Sequence, residues 1–394
     1  MQIKQIASAL ALVGTVLPGV AVGGELEEVK AVLEKLQARV AQLEAEKAAA
    51  PAAAPAAAAP ATVAAGNPSL LANSNVTLYG KIDVFGEYDT RGSRGTRVAL
   101  ESGGMNGSRW GIKGGADIAP GVRGIFQVEG GVFINKGRSA QGGLLFGRQA
   151  YAGVETRYGT LTAGRQYSPL YNTVTGFDPF EQGYGSPTNS GQVTAGATRY
   201  DSALIYRTPT LAGFSASLMA ALGGETGNSR RDATALSVAY ANGPLGLGLA
   251  YQRDDHINVA NALSRHGFAG ASYQLGNTRL MAGLARVDID VDGGINRSRR
   301  EWMVGSKTAM TSTGQLLAVY GRGKTDGVED RSGALAVGWI EAISPQANVY
   351  GVIANHTNDA ASALVPMGTS SSGSYSIDNG DSALGLALGF QYTF

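Results

Sequence analysis

The chain has 394 residues, a formal charge of +1, 57 glycines, three histidines and no cysteine, and only 16% of it is charged. Near-neutrality removes the strongly basic surface that nucleic acid requires. The missing cysteines exclude disulfide stabilisation, and together with so few histidines they argue against a zinc site. After residue 24 no apolar run reaches the ~18–20 residues of a membrane-spanning helix. Abundant glycine suits many short strands with small residues on a crowded inner wall.

Taken in order, Lys4 and the apolar stretch Ile6 to Val22, ending in the small residues Ala21-Val22-Gly23, predict a secretory signal over residues 1–23. Pro18 and Gly19 disfavour the alternative of a short membrane anchor. Leu26, Val29, Leu33, Leu36, Val40 and Leu43 are spaced 3, 4, 3, 4, 3, the heptad seam of a coiled-coil helix over 24–47. So short a seam is marginal alone and needs partners already held together. Arg39 and Glu44 flank it in an arrangement that resembles three-stranded coiled coils, where Arg and Glu pair between neighbouring helices. The other reading is a single amphipathic helix on a membrane face or barrel rim. Residues 48–72, rich in Ala and Pro, predict an extended linker of ~3 Å per residue.

From 73 to 394 the chain repeats one unit: a stretch of alternating residues, a short turn, another such stretch, a longer loop. Its end shows the rule most clearly. Leu384, Leu386, Leu388, Phe390, Tyr392 and Phe394 take every second place, with Ala383, Gly385, Ala387, Gly389, Gln391 and Thr393 between them. One face is wholly apolar and the other small or polar, as in a strand with lipid on one side and a lumen on the other. Short turns fall near residues 120, 158, 212, 243, 276, 313 and 345. Longer polar segments fall at 89–106, 134–143, 168–197, 223–232, 253–265, 288–298, 324–331 and 356–380. Seven turns and eight loops make fifteen connections, and so a 16-stranded antiparallel transmembrane β-barrel with both barrel ends in the periplasm. In the 160–166 strand the parity fails, because Arg165 shares a face with Leu161 and Ala163. Lipid would reject it there unless a bulge re-aims it.

The closing GFQYTF resembles the last strand and assembly signal of Gram-negative outer-membrane porins, with Phe394 as the residue read by the barrel-assembly machinery. VTLYGKIDVFGEY, SGGMNGSRWGIKG (102–114), GIFQVEGG (124–131), LLFGRQAYAGVE (144–155) and YGTLTAGRQYSP (158–169) resemble strands of general porins of the β-proteobacterial and neisserial type. The resemblance implies a homotrimer, surrounded by outer-membrane lipid, that passes small hydrophilic solutes and ions passively and without a cofactor. It also implies that the long third loop, Ser168 to Gly196, folds into the barrel with its acids Asp178 and Glu181 facing a ladder of bases. Arg109, Arg148 and Arg165 lie in the resembling strands, and alternation adds Lys81, Lys113 and Arg199. Opposed charged walls set up a transverse field that orients polar solutes, while size sets the cut-off. More wall bases than loop acids favours anions weakly. For each base the competing reading is a structural ion pair with a neighbouring acid, or a place in a loop.

Two other functions compete. The coiled coil departs from most general porins and points to a substrate-preferring channel, for sugars where aromatics line the lumen or for carboxylates where Arg is concentrated, and here Arg dominates. It would equally serve a structural protein tethering the outer membrane to the cell wall through 24–47. Enzymatic readings are weaker. Gly321-Arg-Gly-Lys-Thr325 lacks the earlier glycine of a phosphate loop, having Ala318 there, and a loop-like segment follows it. His256, His266 and His356 accompany no nucleophile motif, and Ser264 beside His266 is an unremarkable Ser–His pairing.

Overall fold

The computed structural model describes residues 75–394 apart from 91, 195, 223–231, 256–261, 292, 293, 295 and 370–375, together with residue 38. Apart from residue 38, the signal, coiled-coil and linker expectations over 1–72 therefore lie outside the described residues, as does His256.

Eighteen strand segments occur among the described residues. They begin with β1 (Asn75–Thr90), β2 (Thr96–Ser102), β3 (Arg109–Ala119), β4 (Val122–Phe133), β5 (Arg138–Ser139) and β6 (Gln149–Thr156). β7 (Gly159–Tyr167), β8 (Arg199–Arg207), β9 (Phe214–Ala221), β10 (Ala233–Asn242), β11 (Leu245–Asp255) and β12 (Ala262–Leu275) follow. β13 (Thr278–Val291), β14 (Arg297–Ala309), β15 (Gly314–Thr325), β16 (Ser332–Ala342), β17 (Ala347–Asn358) and β18 (Ala383–Thr393) complete the set. β2 and β3 pair with the upper and lower halves of the same edge of β1, so they are one stave with a break. β5 is a two-residue ladder on β4. Eighteen less those two leaves the expected sixteen staves, each antiparallel to the next and closed by β1 on β18.

The break corrects the expected loop 89–106, of which 96–102 is strand. Its cause is Asp83. The carboxylate accepts the backbone N–H groups of Gly104 (3.0 Å), Met105 (2.9 Å) and Asn106 (2.6 Å). Tyr350 and Gln391 donate to it as well, at 2.7 and 2.8 Å. Five donors offset the burial of this sealed carboxyl group, and it folds residues 103–108 around itself instead of letting the strand run on.

Alternation sets which side chains face out. Leu384, Leu386, Leu388, Phe390 and Tyr392 are exposed, Leu388 by 62%, whereas Ala383 and Ala387 on the alternate face are sealed. Phe394 and Gly80 exchange both backbone hydrogen bonds, at 2.9 and 3.1 Å, which completes the seam. The Phe394 ring lies where a Gly80 side chain would stand.

The apolar core lies inside the barrel, under the third loop. That loop contains helices α1 (Pro169–Gly176) and α2 (Pro187–Ser190), each started by a serine cap, Ser168 or Ser186, with proline at the first turn. Leu170, Val174, Phe177 and Val193 pack on Ala250, Phe268 and Met303. Phe180 and Tyr184 pack on Phe85, Leu317, Ala336, Val352 and Ala354. The wall beneath is small for this reason: a side chain at Gly248 or Gly270 would meet the Phe177 ring, and one at Gly321 would meet Pro187. Burying each large side chain contributes ~1.5–3 kcal/mol, enough to strap the loop down.

Candidate channel constriction

The strap holds the third loop against the inner faces of β9 to β18, and further ties pin it. The Tyr184 hydroxyl donates to Asp89 at 2.6 Å, and Thr194 donates to Glu301 from its backbone (2.6 Å) and its hydroxyl (2.7 Å). Arg299 closes that second tie on Glu301 at 2.8 Å. Burial, then neighbouring Tyr167, pushes the Tyr171 phenol of α1 above its ordinary range.

The two loop acids have different fates. Asp178 is only 1% exposed and is turned into the loop. It accepts the N–H groups of Phe180 and Gln182, both at 2.9 Å, the Ser186 hydroxyl at 2.5 Å, and the Thr188 hydroxyl. The expectation of an open constriction acid is corrected here, because the loop's own donors enclose the carboxylate. Glu181 is open. Its side chain is 57% exposed, and Lys307 of β14 meets it at 2.5 Å. Glu181 and Gln182 both adopt left-handed backbone conformations (φ 51° and 66°), a strained turn that the Asp178 hydrogen bonds over-determine and that presents Glu181 outward.

Across the lumen stand the bases of β1, β3, β6 to β8 and the segments before them. Lys81 lies opposite Arg109 in the register, donates to Asn106 at 2.8 Å, and is within electrostatic reach of Glu181. Arg148 and Arg109 share the buried Glu129, at 2.7 and 3.6 Å. Lys113 lies 5.3 Å from the Tyr79 ring, and Arg199 lies 4.2 Å from the ring of Tyr167. The Tyr167 hydroxyl also accepts from Arg148 (2.7 Å) and Arg199 (2.5 Å). Five of the six expected bases thus share one wall.

Arg165 is the sixth and stands apart. It lies opposite Ala150 on the outward row, donates to the Gly147 carbonyl at 2.8 Å and pairs with Asp201 at 2.6 Å. The register does slip between Gly164 and Gln166, but the extra residue is on β8, where Ser202 has φ 49°. The bulge supplies Arg165 with a partner and does not turn it inward.

Sequence reading missed Arg207, Lys307 and Glu129. Each was findable by alternation, since Arg207 keeps the parity of Ile205, Lys307 that of Met303 and Glu129 that of Gln127. A polar ladder links them to the wall: Tyr151 donates to Gln127 (2.8 Å), Gln127 to Tyr79 (2.5 Å) and Tyr79 to Glu129 (2.9 Å). Lys81, Arg109, Lys113, Arg148, Arg199, Arg207 and Lys307 are the seven cations of this network. Glu129, Glu181 and the sealed Asp83 are the acids beside them.

Of the enzymatic candidates, Ser264 and His266 meet at 3.0 Å, but Ser264 is sealed from solvent. Gly321 to Thr325 is strand, and a turn follows it.

Comparison with known proteins gives a consistent picture. A profile described as Gram-negative porin matches residues 48–361. An outer membrane porin protein of Bordetella pertussis is 31% identical over 252 residues, which are 55% of this chain and 64% of that protein. Outer membrane porin protein 32 of Delftia acidovorans is 26% identical over 348 residues, 84% of this chain and 97% of that protein. Among solved structures, an anion-selective porin from Comamonas acidovorans superposes with a TM-score of 0.71 at 24% identity. It covers 82% of this chain and 100% of its own.

Proposed function

Because this chain belongs to the Gram-negative porin family, we propose that it forms a water-filled outer-membrane channel for passive diffusion of small hydrophilic solutes, with a weak preference for anions. One observation supports this reading: the third loop packs inside the barrel and leaves one open carboxylate, Glu181, against Lys307 and within electrostatic reach of Lys81 on the basic wall. Fixed charges at the narrowest level act on an ion that has shed part of its water, so they outweigh the near-zero charge of the whole chain. The structural relative described as anion-selective supports the same sign.

Three copies are the proposed assembly, on the likeness to a solved outer membrane protein of Vibrio cholerae described in a trimer form. The heptad seam Leu26 to Leu43, with Arg39 and Glu44, is proposed to join them in the periplasm after the signal is removed. Anchoring to the cell wall is the second role proposed for it.

Single-channel conductance in a planar bilayer, with reversal potential in a salt gradient, tests the proposal. Steps in threes with a modest anion preference are expected. Cation preference would overturn the reading of the basic wall, and block by one class of organic acid or sugar would replace general diffusion with a substrate-preferring channel. Deleting 24–47 leaves the conductance of each step unchanged and lowers trimer recovery; unchanged recovery would leave wall binding as the role of that segment.

A further inference from the structure

The outward face of the barrel carries a second constellation of charge, unrelated to the lumen. Register aligns Gly267, Arg286, Arg300 and Lys324 in one row across β12 to β15, close to the long-loop ends of these strands. Arg322 lies one outward step nearer the short turns, opposite Trp302. Arg286 uses only its Nε on Asp288 (3.0 Å), and Arg300 only Nη2 on Asp326 (2.6 Å), so neither guanidinium fork is saturated. Both side chains are well exposed, and no acid pairs with Lys324 or Arg322 among the described residues. Four cations therefore face two carboxylates.

Beside the row is a groove of about 490 Å³ whose lining includes Leu249, Tyr251, Gly267, Ala269, Leu284 and Arg286. Gly267 has nothing within 4 Å of the place a Cβ would take, so packing does not demand glycine there; the effect of the missing side chain is an open groove. A second outward groove, about 590 Å³ and lined by Gly86, Leu100, Trp339 and Leu388 among others, has no charged residue on it.

We propose that the cation-capped groove binds a lipopolysaccharide molecule, with an acyl chain along Gly267 and Ala269 and its phosphates on Arg286, Arg300 and Lys324. The long-loop end of such a barrel is extracellular, which places the row in the outer leaflet. Guanidinium forks recognise phosphate oxygens bidentately. Three cations on adjacent strands, ~4.8 Å apart, span ~10 Å. That width suits a headgroup with two phosphates better than the single phosphate of a glycerophospholipid.

The test uses the full chain purified in detergent and native mass spectrometry with three added lipids: bisphosphorylated lipid A, dephosphorylated lipid A and phosphatidylglycerol. Wild type retains the bisphosphorylated lipid preferentially, and Arg286→Gln/Arg300→Gln/Lys324→Gln lowers that retention about tenfold. Gly267→Leu, which fills the groove, lowers it too, whereas Gly86→Leu, which fills the uncharged groove, does not. Unchanged conductance shows that each variant is folded. Equal retention of all three lipids would overturn the proposal, as would full retention by both the triple and the Gly267 variants. Loss of oligomers from the triple variant, with lipid retention intact, would overturn it in favour of a second copy of this chain on the row.

Discussion

Replacing Asp178 by alanine separates a buried organiser from an open pore charge. The substitution removes the acceptor of two backbone N–H groups, of Phe180 and Gln182, and of two hydroxyls, of Ser186 and Thr188. A hydrogen bond to a charged group contributes ~1.5–3 kcal/mol. The hydroxyls can turn elsewhere but the backbone groups cannot, so the loss is about 3–6 kcal/mol. It falls on the loop tip alone, since the strand ladder does not involve Asp178. Opposing it is the burial of Phe180 and Tyr184, ~1.5–3 kcal/mol each. Terms of similar size make a released tip well populated. Single-channel traces of Asp178→Ala should show larger mean conductance with open-state noise, and hydrogen exchange should rise over residues 178–190. The heat-modifiability midpoint of the barrel should stay unchanged. A quiet channel of normal conductance, with only its reversal potential moved, would refute this reasoning, because that is how an acid exposed to the permeating ions behaves.

Other outcomes follow from the same geometry. Lys81→Gln should reduce anion preference about threefold, since a unit charge ~6 Å from an ion in a water-like medium is worth ~0.7 kcal/mol; Arg165→Gln should leave the reversal potential unmoved. Gly270→Leu collides with Phe177 and should cost ~1–3 kcal/mol of loop docking, seen as a noisier, wider channel with the barrel still folded. At the extracellular rim, hydrogen bonds from Arg94 and then Ser93 hold the Asp378 carboxyl below its ordinary range. A depressed value means that this tie between the first and last loops is present above the unfolded carboxylate pKa and is lost as pH falls through the folded one. Proteolysis of residues 376–381 should therefore rise on acidification into that range, and Asp378→Asn should be susceptible at every pH.

What could be read from the sequence was whatever one strand decides by itself. Leu384 to Phe394 fix their own facing by alternation, and the spacing of turns and loops is enough for sixteen staves. The break between β2 and β3 was hidden because Asp83 makes it with Tyr350 and Gln391, partners from the far end of the chain. Asp178 and Glu181 look alike in sequence, as acids three residues apart in one loop; only the folded tip decides which of them sees water. Parity marks Arg165 as anomalous, yet the residue that settles its pairing, at the Ser202 bulge, lies on a neighbouring strand.

The third loop lies on one side of the barrel only, and this divides the cylinder into halves under different demands. Beneath the strap, Gly248, Gly270, Gly321 and Ala336 are bound to their size by Phe177, Pro187 and Phe180. On the opposite half, Lys113 is exposed and Lys81 and Arg207 are half-buried, and none of the three belongs to the apolar core. Mutations that retune which solutes pass can therefore accumulate on one half-cylinder at small cost to folding, while the other keeps the aperture's width. A channel built this way can change its diet without changing its mould.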